Sequence, residues 1–292
     1  MKKIPFKSFR HALTLPAVKL VIFAAAVTPR VVSRMYAGAL GWLLSILPLP
    51  SNRIIRKHQQ GIITENGITV KASAVYSGVL SGYFDFFYLS RRSDETFRKL
   101  MEVQGAENME NALSFGKGVI AVTAHLGPWE LLPRAMKLMG FDIGVVGRAL
   151  SQSGTSDILD RLRRKPGVET IDRDAGVAPI LRLLRSNRTL GMLIDQDTKG
   201  VQSQFARFLG RPAWTPVAPA ALATRLQAPV VTLHITRRKD STFLLEIDEP
   251  VFFTGGETSE NILTFLNDRI SRWIIDTPEQ WVWFHNRWRR QP

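Results

Sequence analysis

Apolar positions along this chain follow two regimes. Up to about residue 60 they gather in two long runs, 13–29, broken by Pro16 and Lys19, and 37–50, which reads Ala-Gly-Ala-Leu-Gly-Trp-Leu-Leu-Ser-Ile-Leu-Pro-Leu-Pro. From about residue 61 they come instead in short blocks separated by amphipathic stretches. The blocks at 118–124 (Gly-Val-Ile-Ala-Val-Thr-Ala), 142–146, 189–194, 229–235 and 243–247 have the length and β-branched content of buried strands. The stretches at 130–139, 155–164, 175–186, 217–226 and 259–275 carry helical periodicity, with Asp174 and Thr258 as candidate N-caps. Strands separated by helices of this length require crossover connections. The predicted fold is therefore α/β, with a mixed, largely parallel central sheet flanked by helices. In such sheets ligands bind beyond the carboxyl ends of the strands.

Charge changes the picture of the amino-terminal third. The chain carries 39 Lys and Arg against 25 Asp and Glu, a net +14, and no acidic residue occurs before Glu65. Ten basic residues precede it, so +10 of the +14 lies in the first 64 residues. Basic residues interleaved with apolar runs suit an anionic membrane surface, where each contributes about 1 kcal/mol of attraction, better than they suit nucleic acid. The predicted organisation is a membrane-anchoring helical segment over 1–60 and an α/β domain over 61–292. Each apolar run is shorter than the ~20 residues of a spanning helix. A tilted single span and a pair of interfacial helices both fit the basic flanks; a cleaved signal peptide fits less well, because Lys19 interrupts its apolar region. Cysteine is absent, which excludes disulfides and Cys-ligated zinc.

The candidate chemistry lies where the first predicted strand ends, in His125-Leu-Gly-Pro-Trp-Glu130. A histidine at a strand's carboxyl end, followed by a Gly-Pro turn, projects from the sheet edge where a substrate would sit. Because Gly127 and Pro128 turn the chain, the Glu130 carboxylate is expected to fold back to the imidazole, fix its tautomer and make His125 a general base. Backbone N–H groups of the turn, or an arginine, would serve a tetrahedral oxyanion. With five histidines and no His-x3-His pair, a metal site is not expected. No Gly-x-Ser-x-Gly elbow is present either.

An isolated H-x4-E is a weak pattern, and its weight comes from five further motifs in order. These are Gly144-Val-Val-Gly-Arg148, Ile171-Asp-Arg173, Ile194-Asp-Gln-Asp197, Phe208-Leu-Gly-Arg-Pro212 with Ala228-Pro-Val-Val231, and the terminal Pro278-Glu-Gln-Trp-Val-Trp-Phe-His285-Asn-Arg-Trp288. Over about 180 residues the chain resembles the lysophospholipid acyltransferase superfamily, and within it the late acyltransferases of lipid A biosynthesis. The resemblance implies a glycerolipid-acyltransferase-like fold and transfer of a fatty acyl group from acyl carrier protein to a glycolipid hydroxyl, with a lipid A precursor as acceptor. It implies no cofactor. His125 and Glu130 would be catalytic, and Arg148, Arg163, Asp195, Asp197 and Gly210 would bind substrate or shape the pocket. The partners it implies are acyl carrier protein and an anionic membrane lipid, with no nucleic acid, at the cytoplasmic face of a bacterial inner membrane. The chain departs from the pattern at Asn286, where an arginine is usual, and at 52–69, which lacks the family's Asn-Leu and Phe-Pro-Glu-like stretch; the second departure leaves the acceptor open between glycolipids, phospholipids and secondary metabolites. A non-catalytic binding protein on the same scaffold is the reading from another class.

Overall fold

The structure, a computed structural model, describes residues 19–147 and 161–292. Nine strands lie among the described residues: β1 (Met101–Gln104), β2 (Val119–Thr123), β3 (Ile143–Gly147), β4 (Glu169–Asp172), β5 (Thr189–Leu193), β6 (Ser203–Phe208), β7 (Arg211–Pro216), β8 (Val230–Arg237) and β9 (Phe243–Ile247). Seven of them form the central sheet in the order β1-β9-β8-β2-β5-β3-β4. Strands β8, β2, β5, β3 and β4 run parallel; β9 turns back antiparallel to β8, and β1 pairs parallel to β9. The fold is thus the mixed, largely parallel α/β sheet that the apolar blocks predict.

All five predicted strands are present, and the reason is their position. Every residue of β2 is buried, since helices cover both faces, so the strand reads as an unbroken apolar run. The strands without an apolar block lie at the margins. Edge strands β1 (Met-Glu-Val-Gln) and β4 (Glu-Thr-Ile-Asp) are four residues long and polar in alternation, as edges that avoid further pairing tend to be. Strands β6 and β7 form a separate hairpin closed by Leu209 and Gly210, both at positive φ (47° and 78°), the backbone of a two-residue turn matched to strand twist.

Helices on the predicted spans show local corrections, and Ala72–Leu89, Asp94–Lys99 and Ala106–Ser114 stand where no span was predicted. The 130–139 stretch divides into a 3-10 turn (Trp129–Leu131) and a helix (Leu132–Leu138), and the 175–186 stretch shortens to Ala178–Arg185. Asp174 caps neither helix: Val177 occupies the N-cap, and the Asp174 N–H donates to Asp172 Oδ1 instead. Thr258 does cap Ser259–Asp276, its Oγ1 accepting from the Asn261 N–H at 3.2 Å. The predicted helix over 155–164 lies outside the described residues except for 161–164, which are helical.

The amino-terminal helices are built inside out. Helix α1 (Arg30–Ile46) buries Ser33, Ala37 and Gly41, a stripe of small residues four apart. It exposes Val31, Met35, Tyr36, Leu40, Trp42, Leu43 and Ile46. After a bend of 88° the chain continues as α2 (Pro50–His58) and a π-helical turn (Gln59–Ile63). The small stripe lets α1 lie against α3 (Ala72–Leu89), which is apolar on nearly all sides and buried accordingly. Where the helices touch, a Cβ on Gly41 would come within 2.7 Å of the Ser73 carbonyl oxygen. One buried ion triad fastens them to the sheet: Asp85 of α3 accepts from Arg30 Nε of α1 at 2.7 Å and from Arg237 Nε of β8 at 2.6 Å.

Candidate active site

Strands β2 and β5 are parallel neighbours, with Thr123 beside Leu193 in register. Two residues beyond each strand, the same register brings His125 next to Asp195 at the carboxyl edge of the sheet. The Asp195 carboxylate takes three hydrogen bonds: Oδ1 pairs with His125 Nδ1 at 2.8 Å, and Oδ2 accepts from the His125 backbone N–H at 3.0 Å and from Trp281 Nε1 at 2.8 Å. Asp195 is wholly buried. Burial by itself raises its pKa, but the His125 ring charge and these three donors outweigh that and hold the carboxyl down to about 2. An ionised carboxylate only accepts, so Nδ1 of His125 carries a proton, and in the neutral form of the ring the lone pair is on Nε2. The ring is about a quarter exposed and meets Trp129 edge to face at 5.2 Å; Trp129 meets Tyr83 likewise at 5.4 Å. This aromatic line packs against the imidazole, which keeps part of its ring exposed.

Here the expected pairing of Glu130 with His125 is corrected. The Glu130 carboxylate is gripped side-on by Arg163, Nε to Oε2 at 2.7 Å and Nη2 to Oε1. The 3-10 turn that follows Pro128 carries Glu130 onto the next helix start, away from the strand end, so the loop does not fold its carboxylate back onto the ring. Glu130 and Arg163 lie instead on a cavity of about 310 Å³ with an apolar wall (Phe86, Leu131, Pro133, Leu162) and a basic rim (Arg92, Arg134, Arg163, Lys165). Beside the pair, burial first and the Glu130 charge second push the Tyr83 phenol up to about 12, so it stays a neutral hydroxyl.

The other predicted site residues divide. Asp197 is buried and holds the carboxyl-terminal tail: Oδ1 accepts from Arg289 Nη2 at 2.9 Å, and its backbone N–H donates to His285 Nε2 at 3.1 Å. Burial lowers the His285 pKa, which matches a ring accepting at Nε2. Gly210 makes the hairpin tip, with open space where a Cβ would stand, and belongs to the turn rather than to the strand ends that carry His125 and Asp195. Arg148 lies outside the described residues. The oxyanion donors expected from the turn are reduced by one, because the Gly127 N–H is spent on the Gln280 carbonyl at 3.0 Å. Gly127 itself, at φ +59°, presses on the Ile235 carbonyl so closely that no side chain fits there. Among the described residues no cluster of three or more His, Asp or Glu could hold a metal ion.

The terminal aromatic segment, whose mix of aromatics and arginines fits a membrane interface or a nucleic-acid platform by composition and a membrane interface or core packing by the family resemblance, packs into the core. Trp281, Trp283 and Arg287 are fully buried. Arg287 donates to the Trp214 carbonyl and, at 2.7 Å, to Thr215 Oγ1, and lies 4.9 Å over the Phe208 ring. Desolvation lowers its pKa to about 10, still a cation at neutral pH. The Trp281 indole is the site residue that sequence reasoning missed. Its signal was the Trp-Val-Trp alternation, which sends residues 281 and 283 to one side of an extended segment, but nothing in it names Asp195 as the acceptor.

Fold and site together define an α/β protein with a carboxylate-paired histidine at the edge of parallel strands and, at Glu130 and Arg163, an apolar-walled cavity. The chain belongs to the bacterial lipid A biosynthesis acyltransferase family, whose model matches residues 3–290. Among its relatives, the lipid A biosynthesis palmitoleoyltransferase of Escherichia coli (strain K12) is 26% identical over 202 residues, covering 68% of this chain and 65% of that protein. The lipid A biosynthesis acyltransferase of Haemophilus influenzae (strain ATCC 51907 / DSM 11121 / KW20 / Rd) is 24% identical over 217 residues, covering 73% of this chain and 66% of that protein. The matched regions thus span just under two thirds of these relatives' length.

Proposed function

We propose that the protein transfers a fatty acyl group from the thioester of an acyl carrier protein to a hydroxyl of a phosphorylated glycolipid of the lipid A type. The observation that carries this reading is the His125–Asp195 pair, in which Asp195 occupies Nδ1 and the partly exposed ring keeps Nε2 for a substrate. In the reaction Nε2 takes the proton of the acceptor hydroxyl as its oxygen attacks the thioester carbonyl. The tetrahedral intermediate collapses, the C–S bond breaks, and the imidazolium returns its proton to the departing thiolate, giving ester and free thiol. Asp195 stabilises the imidazolium in between. Glu130 acts at one remove: it fixes Arg163, whose cation serves the negative charge that develops on the carbonyl oxygen, a contribution of roughly 3 kcal/mol for one well-aimed donor. Glu130 is in this sense a positioning residue. The apolar wall and basic rim of the adjoining cavity suit an alkyl chain that ends in a reacting thioester.

The reaction belongs at a membrane, because product and acceptor are lipids. No single described helix is long and apolar enough to cross one. The exposed apolar face of α1, with Val31 and Met35 both 69% exposed, and the bend into α2 favour an interfacial arrangement of Arg30–Ile46 and Pro50–Ile63, the described helices of the anchoring region, over a single span there. The cytoplasmic face of the inner membrane is where acyl carrier protein is available. This acidic partner also fits a basic chain, since opposite charge speeds encounter.

The test is an acyl-transfer assay of the full chain in detergent micelles, with acyl carrier protein thioesters of several chain lengths against glycolipid and phospholipid acceptors. The expected result is ester formation on the glycolipid that disappears in a folded His125→Ala variant. Full activity in that variant refutes the mechanism, and turnover of phospholipid alone refutes the acceptor class.

A further inference from the structure

One strand over from His125, at the carboxyl end of β8, a second cleft of about 620 Å³ opens between α1, α3 and the β8–β9 connection. Four cations line it, Arg34, Arg237, Arg238 and Lys239, against a single carboxylate, Glu279. Their pairing shows which of them are spent. Arg238 is held by Glu102 through both guanidinium ends. Arg34 donates to the Ser241 hydroxyl, a neutral partner, and Lys239 is exposed with no hydrogen bond or ion pair among the described residues.

Arg237 is the informative member. Its side chain is only 9% exposed, and its Nε is on Asp85. That same carboxylate also serves Arg30, whose side chain is 11% exposed, so one buried anion faces two buried cations. The triad therefore keeps a net positive charge in a poorly hydrated place, and Arg237 Nη2 is buried with no acceptor among the described residues. An uncompensated buried cation with an orphaned donor costs free energy that a bound anion would recover.

The cleft is also wired to the catalytic loop. Gln280 lines it, takes the Arg237 N–H on Oε1 at 2.9 Å and returns a bond from Nε2 to the Arg237 carbonyl at 3.0 Å, while its own backbone carbonyl accepts from the Gly127 N–H. Val31 and Met35, on the exposed apolar face of α1, complete the rim, so a molecule seated there has its alkyl chains directed along the surface that meets lipid. The volume exceeds that of a lone phosphate and suits a sugar carrying one.

We infer that this cleft, formed by Arg34, Arg237 and Lys239, is an acceptor subsite that binds a phosphate on the glycolipid headgroup and so registers the acceptor hydroxyl against His125. The inference rests on the proposed reading of the acceptor as a phosphorylated glycolipid.

It is tested with Arg34→Gln, Lys239→Gln and the double variant, in detergent micelles, at saturating acyl thioester. The acceptors are a phosphorylated glycolipid and its dephosphorylated counterpart. In the double variant KM for the phosphorylated acceptor rises about 10-fold or more, kcat stays within about 2-fold, and KM for the dephosphorylated acceptor does not change. Equal effects on both acceptors, or none on either, overturn the assignment. A second arm measures binding to phosphatidylglycerol vesicles. Loss of vesicle binding with KM in micelles unchanged makes the cleft a reader of bulk anionic lipid and overturns the acceptor role. If the wild-type protein turns over neither glycolipid, the proposed function has failed separately. The cleft is then judged by calorimetric titration with the phosphorylated glycolipid: binding by wild type and not by the double variant upholds it, and equal titrations overturn it.

Discussion

At the scale of single residues, the division of labour between two carboxylates governs the site. Asp195 is buried, low in pKa and bonded to Nδ1, so Asp195→Asn keeps the volume but removes the charge that selects the tautomer. A fall in kcat on the order of 10³-fold is expected, with the thermal unfolding midpoint nearly kept. Steady-state kinetics beside a melting curve check this. Glu130 and Arg163 act as a unit. Glu130→Gln and Arg163→Ala should each lower kcat, and the double variant should lose little more than the worse single. A double-mutant cycle on kcat/KM reads the coupling; fully additive losses would mean that Glu130 works independently of Arg163. His125 and Glu130 were legible in the sequence, since H-x4-E stands at a strand end. Their bonding partners were not, because a side chain's partner depends on which strand lies alongside. Ile194-Asp-Gln-Asp197 reads only as a strand end with two acids until β5 is known to flank β2.

At the scale of elements, the close approach of α1 to α3 makes opposite predictions for two glycines three residues apart. Gly41→Ala places a methyl within 2.7 Å of the Ser73 carbonyl and 2.8 Å of the Ser77 nitrogen, so the helices must separate. Overpacking of this kind costs about 1–3 kcal/mol. Gly38→Ala meets nothing within 4 Å and should stabilise by up to about 1 kcal/mol, since alanine is the better helix former. Urea unfolding in detergent should therefore move the two midpoints in opposite directions; a shared direction would refute the packing argument. The five apolar strands and the helix Ser259–Asp276 were legible in the sequence, the strands because burial on both faces leaves an uninterrupted signal; Ala72–Leu89 was not, because residues apolar on nearly all sides show no helical period. Edge strands β1 and β4 were not, because half of each faces solvent and four residues carry too little pattern. Asp174 failed as a cap for a related reason: with Pro179 in the first turn, the helix begins later than the polar residue suggests.

At the scale of the whole molecule, the carboxyl-terminal segment closes the structure over the amino-terminal helices, and His58 is the fastener. Its ring is 2% exposed, its Nδ1 lies 2.9 Å from the Trp283 carbonyl, and it meets Trp288 edge to face at 5.0 Å. Burial drives its pKa down to about 4, against the raising effect of the carbonyl. The folded protein thus binds fewer protons here than the unfolded chain. Stability from this group is present above pH 6.5 and falls as the pH drops toward 4, by about 3 kcal/mol in full. Chemical denaturation at pH 7.5 and 5.0 should show the loss in the wild type, and His58→Asn should show a much smaller pH dependence between these points. An unchanged pH slope in the variant would assign the effect elsewhere. Part of the basic excess before Glu65 acts at this scale too: Arg30 and Arg34 stand on α1, whose apolar face is outward.

The sequence by itself determined the α/β class, the buried strands, the amino-terminal concentration of basic and apolar residues, and the histidine at a strand end. These are properties of local composition and period, and short-range physics suffices to read them. Tertiary structure decided the rest: Asp195 rather than Glu130 beside the imidazole, Trp281 as its second donor, the aromatic tail as core rather than surface, and a cationic cleft drawn from residues 34 and 237–239. Each of these depends on strand order and helix packing. The contacts join residues 70 to more than 200 positions apart, and no periodicity spans such distances.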